Sequence, residues 1–262
     1  MILKVIILGI IEGLTEFLPV SSTGHLILVG KFIDFTGDFA NMFDIFIQFG
    51  AILAVIIYFR KEIFPDFKNQ NWGTDFFQLW SKIIIGFIPA VILGVLFHKK
   101  IEEYLFKPIP VAIALIVGGI LLIIAELFFK KEKIDDIKKI TYLNAFFVGV
   151  FQCLALIPGM SRSASTIIGG LFIGFTRGIA VEFSFFLSIP TIMGASFYSL
   201  LKSNLSFSSY EWFLLSLGTL VSFVVAFLVI ALFMKYIKTN RLYPFSIYRI
   251  LLAFVVLFIS LG

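Results

Sequence analysis

Long apolar runs separated by short charged segments make up most of this chain. Six of these runs are close to the roughly 20 residues that a helix needs to cross about 30 Å of hydrocarbon, and they lie at 43–59, 80–97, 109–129, 180–201, 211–234 and 245–261. Hydrophobic residues are 60% of the sequence and charged residues 14%, against roughly 45–50% and 25% in soluble domains. The pattern predicts an all-α integral membrane protein with six transmembrane helices.

Two further apolar stretches, 1–29 and 142–175, are each interrupted midway. The interruptions contain proline, glycine and serine, which are Pro19, Ser21, Ser22 and Gly24 in the first stretch and Pro158, Gly159, Ser161 and Ser163 in the second. Non-helical backbone at membrane depth is tolerated only where it is buried in protein or lines a water-filled cavity. We therefore predict that both stretches form re-entrant helix-turn-helix hairpins.

The two interrupted stretches resemble each other. GIIEGLTEFLPVSSTGH begins at Gly9 and GVFQCLALIPGMSRSAST begins at Gly149, so that Glu12 faces Gln152 and Pro19 faces Pro158. Internal similarity of this kind indicates a repeat. We predict one membrane domain, 1–262, made of two repeats at about 1–130 and 142–262. Each repeat holds one hairpin and three spans, and an odd number of crossings inverts the second copy, as in many transporters.

The distribution of lysine and arginine predicts the orientation. Thirteen of these residues fall on one side of the predicted topology and six on the other, and the positive-inside rule assigns the richer side to the cytoplasm. Both termini are then outside, the first hairpin enters from outside and the second from the cytoplasm. We expect the two hairpin tips to meet near the middle of the membrane.

Hydroxyl side chains cluster where the second half of each hairpin is predicted to begin. They are Ser21, Ser22 and Thr23 in the first hairpin and Ser161, Ser163 and Ser165 in the second. Free N–H groups and the positive end of a helix make such positions suitable for anions. Serines in these places also cap helices, and the sequence leaves both roles open.

Charged side chains complete a candidate site. Glu12 and Glu16 lie one helical turn apart on one face, a spacing that suits binding of a hard divalent ion or a general base. Arg162 has the fork geometry that suits phosphate oxygens, or it forms a structural ion pair with one of the two glutamates. His25 lies at the first tip, whereas His98 precedes two lysines and is predicted to be an interfacial residue. The combination suits phosphoryl transfer.

Two segments resemble a known family at this point. EGLTEFLPVSSTGHL at 12–26 and PGMSRSAST at 158–166 are similar to the signature segments of undecaprenyl-diphosphate phosphatases of the bacitracin-resistance type. FDIFIQFGAILAV at 43–55, EFSFFLSIP at 182–190 and YPFSIYRILLA at 243–253 extend the resemblance over the chain. It implies a bacterial cell-membrane phosphatase that converts the C55 polyprenyl diphosphate to the monophosphate and inorganic phosphate. This activity recycles the lipid carrier of cell-wall synthesis at a site open to the outer face.

The resemblance also implies a divalent cation, Mg²⁺ or Ca²⁺, a polyprenyl diphosphate lipid as partner, and no nucleic acid. Its functional positions fall on Glu12, Glu16, Ser21, Ser22, His25, Ser161, Arg162 and Thr166. Gln48, Tyr248 and Arg249 match as well, although Gln48 would also suit a hydrogen bond between helices and Arg249 would also suit snorkelling to a surface. Asn144 stands where relatives often have Asp, which weakens any essential role for a carboxylate there.

These considerations give one set of site predictions. Catalytic roles are predicted for Ser22, His25, Glu16 and Arg162, metal binding for Glu12 and Glu16, and substrate contacts for Ser21, Thr23, Ser161, Ser163, Thr166, Gln48 and Arg249. Ser22 is preferred to Ser21 as the nucleophile, with His25 three residues away on the same helix face and Glu16 or His25 as its base. Direct attack by a metal-bound water is the alternative.

Two other functions fit parts of the pattern. An inverted-repeat transporter or flippase of an anionic, phosphorylated substrate would use the same helix starts and arginine, but it does not need the glutamate pair beside Ser22 and His25. A phosphatase of the phosphatidic-acid type requires a second histidine in a later motif, which the surroundings of His98 do not match. The sequence leaves the oligomeric state open, with a homodimer as one option.

Overall fold

Helices form almost all of the structure. The computed structural model describes residues 1–64, 72–105, 107–128, 134–202 and 206–261. Their helices are α1 (Ile2–Thr15), α2 (Ser22–Phe32), α3 (Asp38–Tyr58), α4 (Arg60–Ile63), α5 (Trp72–Leu105), α6 (Pro108–Phe128), α7 (Tyr142–Gln152), α8 (Arg162–Ile173), α9 (Arg177–Lys202), α10 (Ser209–Tyr236) and α11 (Tyr243–Leu261), with short 3₁₀ turns at Ile137–Lys139 and Cys153–Leu156. Apart from one isolated bridge between Ile134 and Phe175, these residues contain no β-structure.

Five helices are long and apolar enough to cross a membrane. Within the described parts of the chain they are Asp38–Tyr58, Gly73–Phe97, Pro108–Phe128, Arg177–Ser199 and Ser209–Tyr236. They coincide with the first five predicted spans and identify a multi-pass membrane protein. The sixth predicted span falls on α11, whose apolar part, Tyr243–Ile259, is shorter than these five helices. The sixth crossing therefore stays a prediction.

Each interrupted stretch consists of two helices joined by a turn. The first contains α1 and α2, and the second contains α7 and α8. Gly159 in the second turn has φ +96°, a left-handed conformation that glycine adopts without steric cost. Both second helices begin directly after a serine with positive φ, at +73° for Ser21 and +66° for Ser161. That these helix pairs enter a membrane and return on the same side stays a prediction.

Glycines allow several helices to pack backbone against backbone. A Cβ atom at Gly13 of α1 would lie 2.7 Å from the carbonyl oxygen of Ser222, and one at Gly50 of α3 would lie 2.1 Å from that of Thr219, both on α10. A Cβ at Gly149 of α7 would similarly lie 2.2 Å from the carbonyl oxygen of Gly86 on α5. Small residues permit such close approach in membrane helices. These contacts hold α1 and α7, which lead to the two turns, against long helices.

A buried ion pair connects other helix ends. Arg177 at the start of α9 donates from Nε and Nη2 to the two carboxylate oxygens of Glu126 near the end of α6, both at 2.8 Å. The backbone N–H of Leu242, just before α11, donates to the same carboxylate at 3.2 Å. The carboxylate therefore links α6, α9 and the segment that leads into α11, and such bidentate geometry is typical of strong arginine pairs.

The orientation drawn from the charge distribution stays a prediction. Four of the lysines counted toward the cytoplasmic side lie outside the described residues, and they are Lys68, Lys130, Lys131 and Lys133. Residue 129, at the end of the third predicted span, also lies outside them, as do the side chains of His98 and Lys202.

Candidate active site

The two turns meet, as the sequence predicts for the two hairpin tips. The hydroxyl of Ser163, in the first turn of α8, donates to the carbonyl oxygen of Phe17 at 2.8 Å. The Phe17 ring packs edge-on against Phe185 of α9, with 5.1 Å between ring centroids. These contacts bring the turn between α1 and α2 against α8 and α9 in the interior.

Arg249 of α11 braces both turns. Its guanidinium is fully buried; Nη2 donates to the carbonyl oxygens of Gly159 and Met160 at 3.0 and 2.8 Å, and Nη1 to that of Pro19 at 3.5 Å. The alternative in which Arg249 snorkels to a surface is therefore wrong, because the guanidinium lies in the interior and donates to backbone carbonyls there; its Nε has no hydrogen-bond partner among the described residues. Its predicted contact with substrate stays a prediction.

Ser21 and Ser161 occupy equivalent capping positions. Ser21 Oγ accepts a hydrogen bond from Gly24 N at 3.4 Å, and Ser161 Oγ accepts one from Ala164 N at 3.2 Å. Non-glycine residues with positive φ are uncommon and often mark functional sites. Both hydroxyls thus cap the helices that begin at the meeting point, as the capping alternative expects, while their contacts with substrate stay predictions.

Glu16 lies at the centre of the site. Its Oε2 accepts a hydrogen bond from Ser22 Oγ at 2.5 Å, and its Oε1 accepts one from Arg162 Nη2 at 3.1 Å. The side chains of Arg162 and Glu16 are only 10% and 9% exposed. Arg162 therefore forms the ion pair that the sequence offered as an alternative, and Glu16 is its partner. It leaves Arg162 Nε buried with no hydrogen-bond partner among the described residues, so one guanidinium donor stays available for an anion.

Glu12 is the least satisfied side chain of the site. It is fully buried, and neither carboxylate oxygen has a hydrogen-bond partner in the described parts of the chain. The N–H of Glu16 donates to the carbonyl oxygen of Glu12 at 2.9 Å, so the two acidic residues stay one turn apart as predicted. A buried carboxylate without a partner is costly, which makes Glu12 a candidate ligand for a cation.

His25 points away from the predicted nucleophile. Its Nδ1 lies 2.7 Å from the carbonyl oxygen of Ser21, and its Nε2 lies 2.6 Å from the hydroxyl of Tyr248. Because a carbonyl only accepts, Nδ1 carries a proton, and in a neutral ring Nε2 accepts from Tyr248. The expected pairing of Ser22 with His25 is therefore not formed, since the hydroxyl of Ser22 is engaged by Glu16 instead.

The remaining predicted residues have different surroundings. Thr166 is fully buried and its Oγ1 lies 2.6 Å from Ser184 Oγ, whereas Thr23 and Gln48 are partly buried and make no side-chain hydrogen bond among the described residues. Asn144 forms a reciprocal cap with Thr141 at the start of α7. This local role explains how an amide is accommodated at that position.

Sequence reasoning gave Tyr248 no specific role and did not single out Ser184. Tyr248 was named with Arg249 only as a match to the family, and Ser184 stood only within EFSFFLSIP. A lone serine or tyrosine in an apolar helix carries no periodic signal that would single it out. Packing of α9 and α11 against the two turns gives both residues their partners.

The architecture and site define a helical membrane protein with a buried Ser–Glu–Arg cluster where two broken helix pairs meet. The chain belongs to the family described as bacitracin resistance protein BacA, whose model matches residues 5–255. It is 51% identical over 260 residues to an undecaprenyl-diphosphatase of Caldanaerobacter subterraneus subsp. tengcongensis, covering 99% of this chain and 96% of the relative. It is 48% identical over 260 residues to undecaprenyl-diphosphatase 1 of Clostridioides difficile, covering 98% and 95%. The predicted family is confirmed.

Proposed function

We propose that this protein is an undecaprenyl-diphosphate phosphatase of the bacterial cell membrane. It hydrolyses the phosphoric anhydride of the C55 polyprenyl diphosphate to the monophosphate and inorganic phosphate, and so recycles the lipid carrier of cell-wall synthesis. Relatives of this name cover nearly the whole chain. The observation that carries the proposal is the contact of Ser22 and Arg162 with the same carboxylate, that of Glu16.

Ser22 is the proposed nucleophile and Glu16 its base. The 2.5 Å hydrogen bond directs the Ser22 proton to Glu16 Oε2, so the hydroxyl oxygen is activated where it lies. Attack forms the bond from Ser22 Oγ to the terminal phosphorus and breaks the anhydride bond, and polyprenyl monophosphate leaves. Water then hydrolyses the phosphoserine, releases inorganic phosphate and restores the hydroxyl. His25 takes no part in activating Ser22, because its ring nitrogens face Ser21 and Tyr248.

Arg162 stabilises the phosphoryl group during transfer. Phosphoryl transfer depends mainly on positioning and charge stabilisation. Arg162 Nε–H has no protein partner in the described residues, and we propose that it donates to a phosphoryl oxygen. Nη2 stays on Glu16, which keeps the arginine beside the base. The two helices that Ser21 and Ser161 cap start at the same meeting point, and we propose that the positive ends of both helices face the same anion.

A divalent cation, Mg²⁺ or Ca²⁺, is proposed to bind at Glu12 with Glu16. The two unpartnered oxygens of Glu12 support this assignment. The described residues contain no group of three or more His, Cys, Asp or Glu placed to hold a metal, so water and substrate phosphate oxygens would supply the other ligands, as is common for Mg²⁺. When bound, the ion neutralises charge on the diphosphate.

The membrane arrangement is proposed to be six spans and two opposed re-entrant hairpins in an inverted repeat. The element order supports this arrangement, because a broken helix pair followed by three long helices occurs twice: α1–α2 with α3, α5 and α6, then α7–α8 with α9, α10 and α11. The site would open to the outer face. The Ser22–Glu16–Arg162 cluster comes from one chain, and a homodimer stays one option for the oligomeric state.

Release of inorganic phosphate from purified protein tests the activity. With undecaprenyl diphosphate in detergent micelles we expect turnover that requires a divalent cation. Arg162→Lys should reduce turnover by about 10²-fold or more while the protein stays folded, because one ammonium does not replace the guanidinium fork. A wild-type protein that binds the lipid but releases no phosphate would overturn the proposal and favour the transporter or flippase alternative.

A further inference from the structure

Arg162 is attached to α9 through one residue that has no assigned role. Its Nη1 donates to the carbonyl oxygen of Ser184 at 2.9 Å and to the hydroxyl oxygen of the same residue at 3.4 Å. Ser184 is fully buried and lies 22 positions further along the chain. It therefore holds a different guanidinium nitrogen from the one that contacts Glu16.

The hydroxyl oxygen of Ser184 has a second partner. Thr166 Oγ1, one turn into α8, lies 2.6 Å from it and 3.0 Å from the backbone carbonyl oxygen of Arg162. A threonine hydroxyl has one proton and a carbonyl only accepts, so Thr166 donates either to Ser184 Oγ or to the carbonyl, and in the second arrangement Ser184 donates to Thr166. Either arrangement joins Arg162, Ser184 and Thr166 in one buried network, and buried polar networks that are satisfied make a structure rigid.

The network fixes the plane of the guanidinium. Ser184 holds Nη1 and Glu16 holds Nη2, while the Phe17 ring lies 5.7 Å from the guanidinium carbon. Only Nε lacks a hydrogen-bond partner among the described residues. A free arginine side chain has many rotamers, so fixing two of its nitrogens on two different helical elements determines where the third one points.

We propose that Ser184, with Thr166 behind it, is a positioning residue that aims Arg162 at the transferred phosphoryl group. This inference rests on the proposed function. Neither hydroxyl needs to touch the substrate, since both act through the orientation of the guanidinium. Thr166, predicted from the sequence as a substrate contact, has its described hydrogen bonds with Ser184 and with backbone carbonyls of α8.

The test is a double-mutant cycle on the two hydroxyls. Ser184→Ala and Thr166→Val remove one hydroxyl each and leave side chains of similar size, and Ser184→Cys preserves the volume if alanine impairs folding. Ser188→Ala is the matched control, because Ser188 lies one turn further on α9, is equally buried, and donates to its own helix at Phe185. The measured quantities are kcat, KM and the inhibition constant for inorganic phosphate, with the melting temperature as the measure of folding.

We expect Ser184→Ala and Thr166→Val each to lower kcat and to weaken inhibition by phosphate by about tenfold, with a small change in KM. The double variant should lose no more than about twofold beyond the worse single variant, because both changes break one network. Ser188→Ala should stay within about twofold of wild type.

Three results would overturn the inference. They are a Ser184→Ala protein with unchanged kcat and phosphate inhibition, single losses that multiply in the double variant, or an equal loss in Ser188→Ala. Failure of the proposed function is distinguishable, because wild-type protein would then release no phosphate from the lipid. In that case, the shift in melting temperature that inorganic phosphate causes in each variant would measure phosphate binding and would still decide the role of Ser184.

Discussion

Glu16 has two hydrogen-bond partners on its two carboxylate oxygens. Ser22 donates to Oε2 and Arg162 donates to Oε1. The two bonds hold the carboxylate in one orientation, with Oε2 2.5 Å from the hydroxyl whose proton it receives in the proposed reaction. Positioning contributes much of the rate in phosphoryl transfer, so we expect the fixed geometry of Glu16 to matter for turnover.

Replacing the proposed nucleophile should have the largest effect on turnover. We expect Ser22→Ala to lower kcat by about 10³-fold or more, because loss of a nucleophile removes a reaction path as well as a contact. Ser21→Ala is the comparison; it should act mainly through its cap, with a loss of about 1 kcal/mol in stability. Rapid-quench experiments with the terminal phosphate radiolabelled should trap labelled protein in the wild type. No labelled protein, together with a Ser22→Ala loss below about tenfold, would favour direct attack by water.

Glu12 should show a trade-off between stability and activity. Glu12→Gln replaces a buried carboxylate without a partner by a neutral group of similar size, so the melting temperature should stay the same or rise. Activity should fall, and more Mg²⁺ or Ca²⁺ should be needed for half-maximal turnover, because a cation ligand has lost its charge. Wild-type activity with unchanged metal dependence would assign Glu12 a structural role.

At the scale of helices, glycines and one arginine hold the two turns together. Arg249 reaches carbonyl oxygens of both turns from α11, and it passes α6 at Gly118, where a Cβ would lie 2.1 Å from its Nη2. The hydrogen bonds of this buried guanidinium among the described residues all go to backbone carbonyls, so its position depends on the close approach of α6 and α11.

Gly118→Ala should therefore displace Arg249 and loosen both turns. The expected cost is about 1–3 kcal/mol of stability from overpacking, with a loss of turnover because Ser22 and Arg162 follow those turns. Gly178→Ala is the control, since no atom lies within 4 Å of a Cβ at that position; it should be neutral or stabilising. Thermal unfolding measures the stability of both variants, and phosphate release measures their turnover. Equal behaviour of the two proteins would show that Arg249 does not depend on Gly118.

For the whole molecule, orientation is tested by labelling. After replacement of Cys153, the single cysteine, new cysteines are placed at Lys139 and Lys31, which are both exposed. An impermeant reagent should label Lys31→Cys in intact cells and label Lys139→Cys only after permeabilisation, because the lysine-rich side faces the cytoplasm. The reverse pattern would invert the proposed topology and place the site on the inner face.

The sequence alone determined the features that depend on local spacing. Length and hydropathy give the five helices that are long and apolar enough to cross a membrane, prolines and glycines interrupt the other two stretches, and serines cap the helices that follow. The four-residue spacing keeps Glu12 and Glu16 on one face. Each of these results depends on neighbours within one element, and helical periodicity determines which of them share a face.

Only the tertiary structure decided which polar groups meet. Arg162 pairs with a carboxylate 146 positions away, and His25 meets the hydroxyl of Tyr248 across 223 positions. The sequence allowed Arg162 either a phosphate or an ion pair and allowed Ser22 either Glu16 or His25, and packing selected the partners. The reason is physical, because side-chain spacing restricts contacts only along one helix. Contacts between residues far apart in the chain depend on how the helices approach one another, here α1, α2, α8, α9 and α11. In this chain that approach depends on the glycines at which two backbones touch.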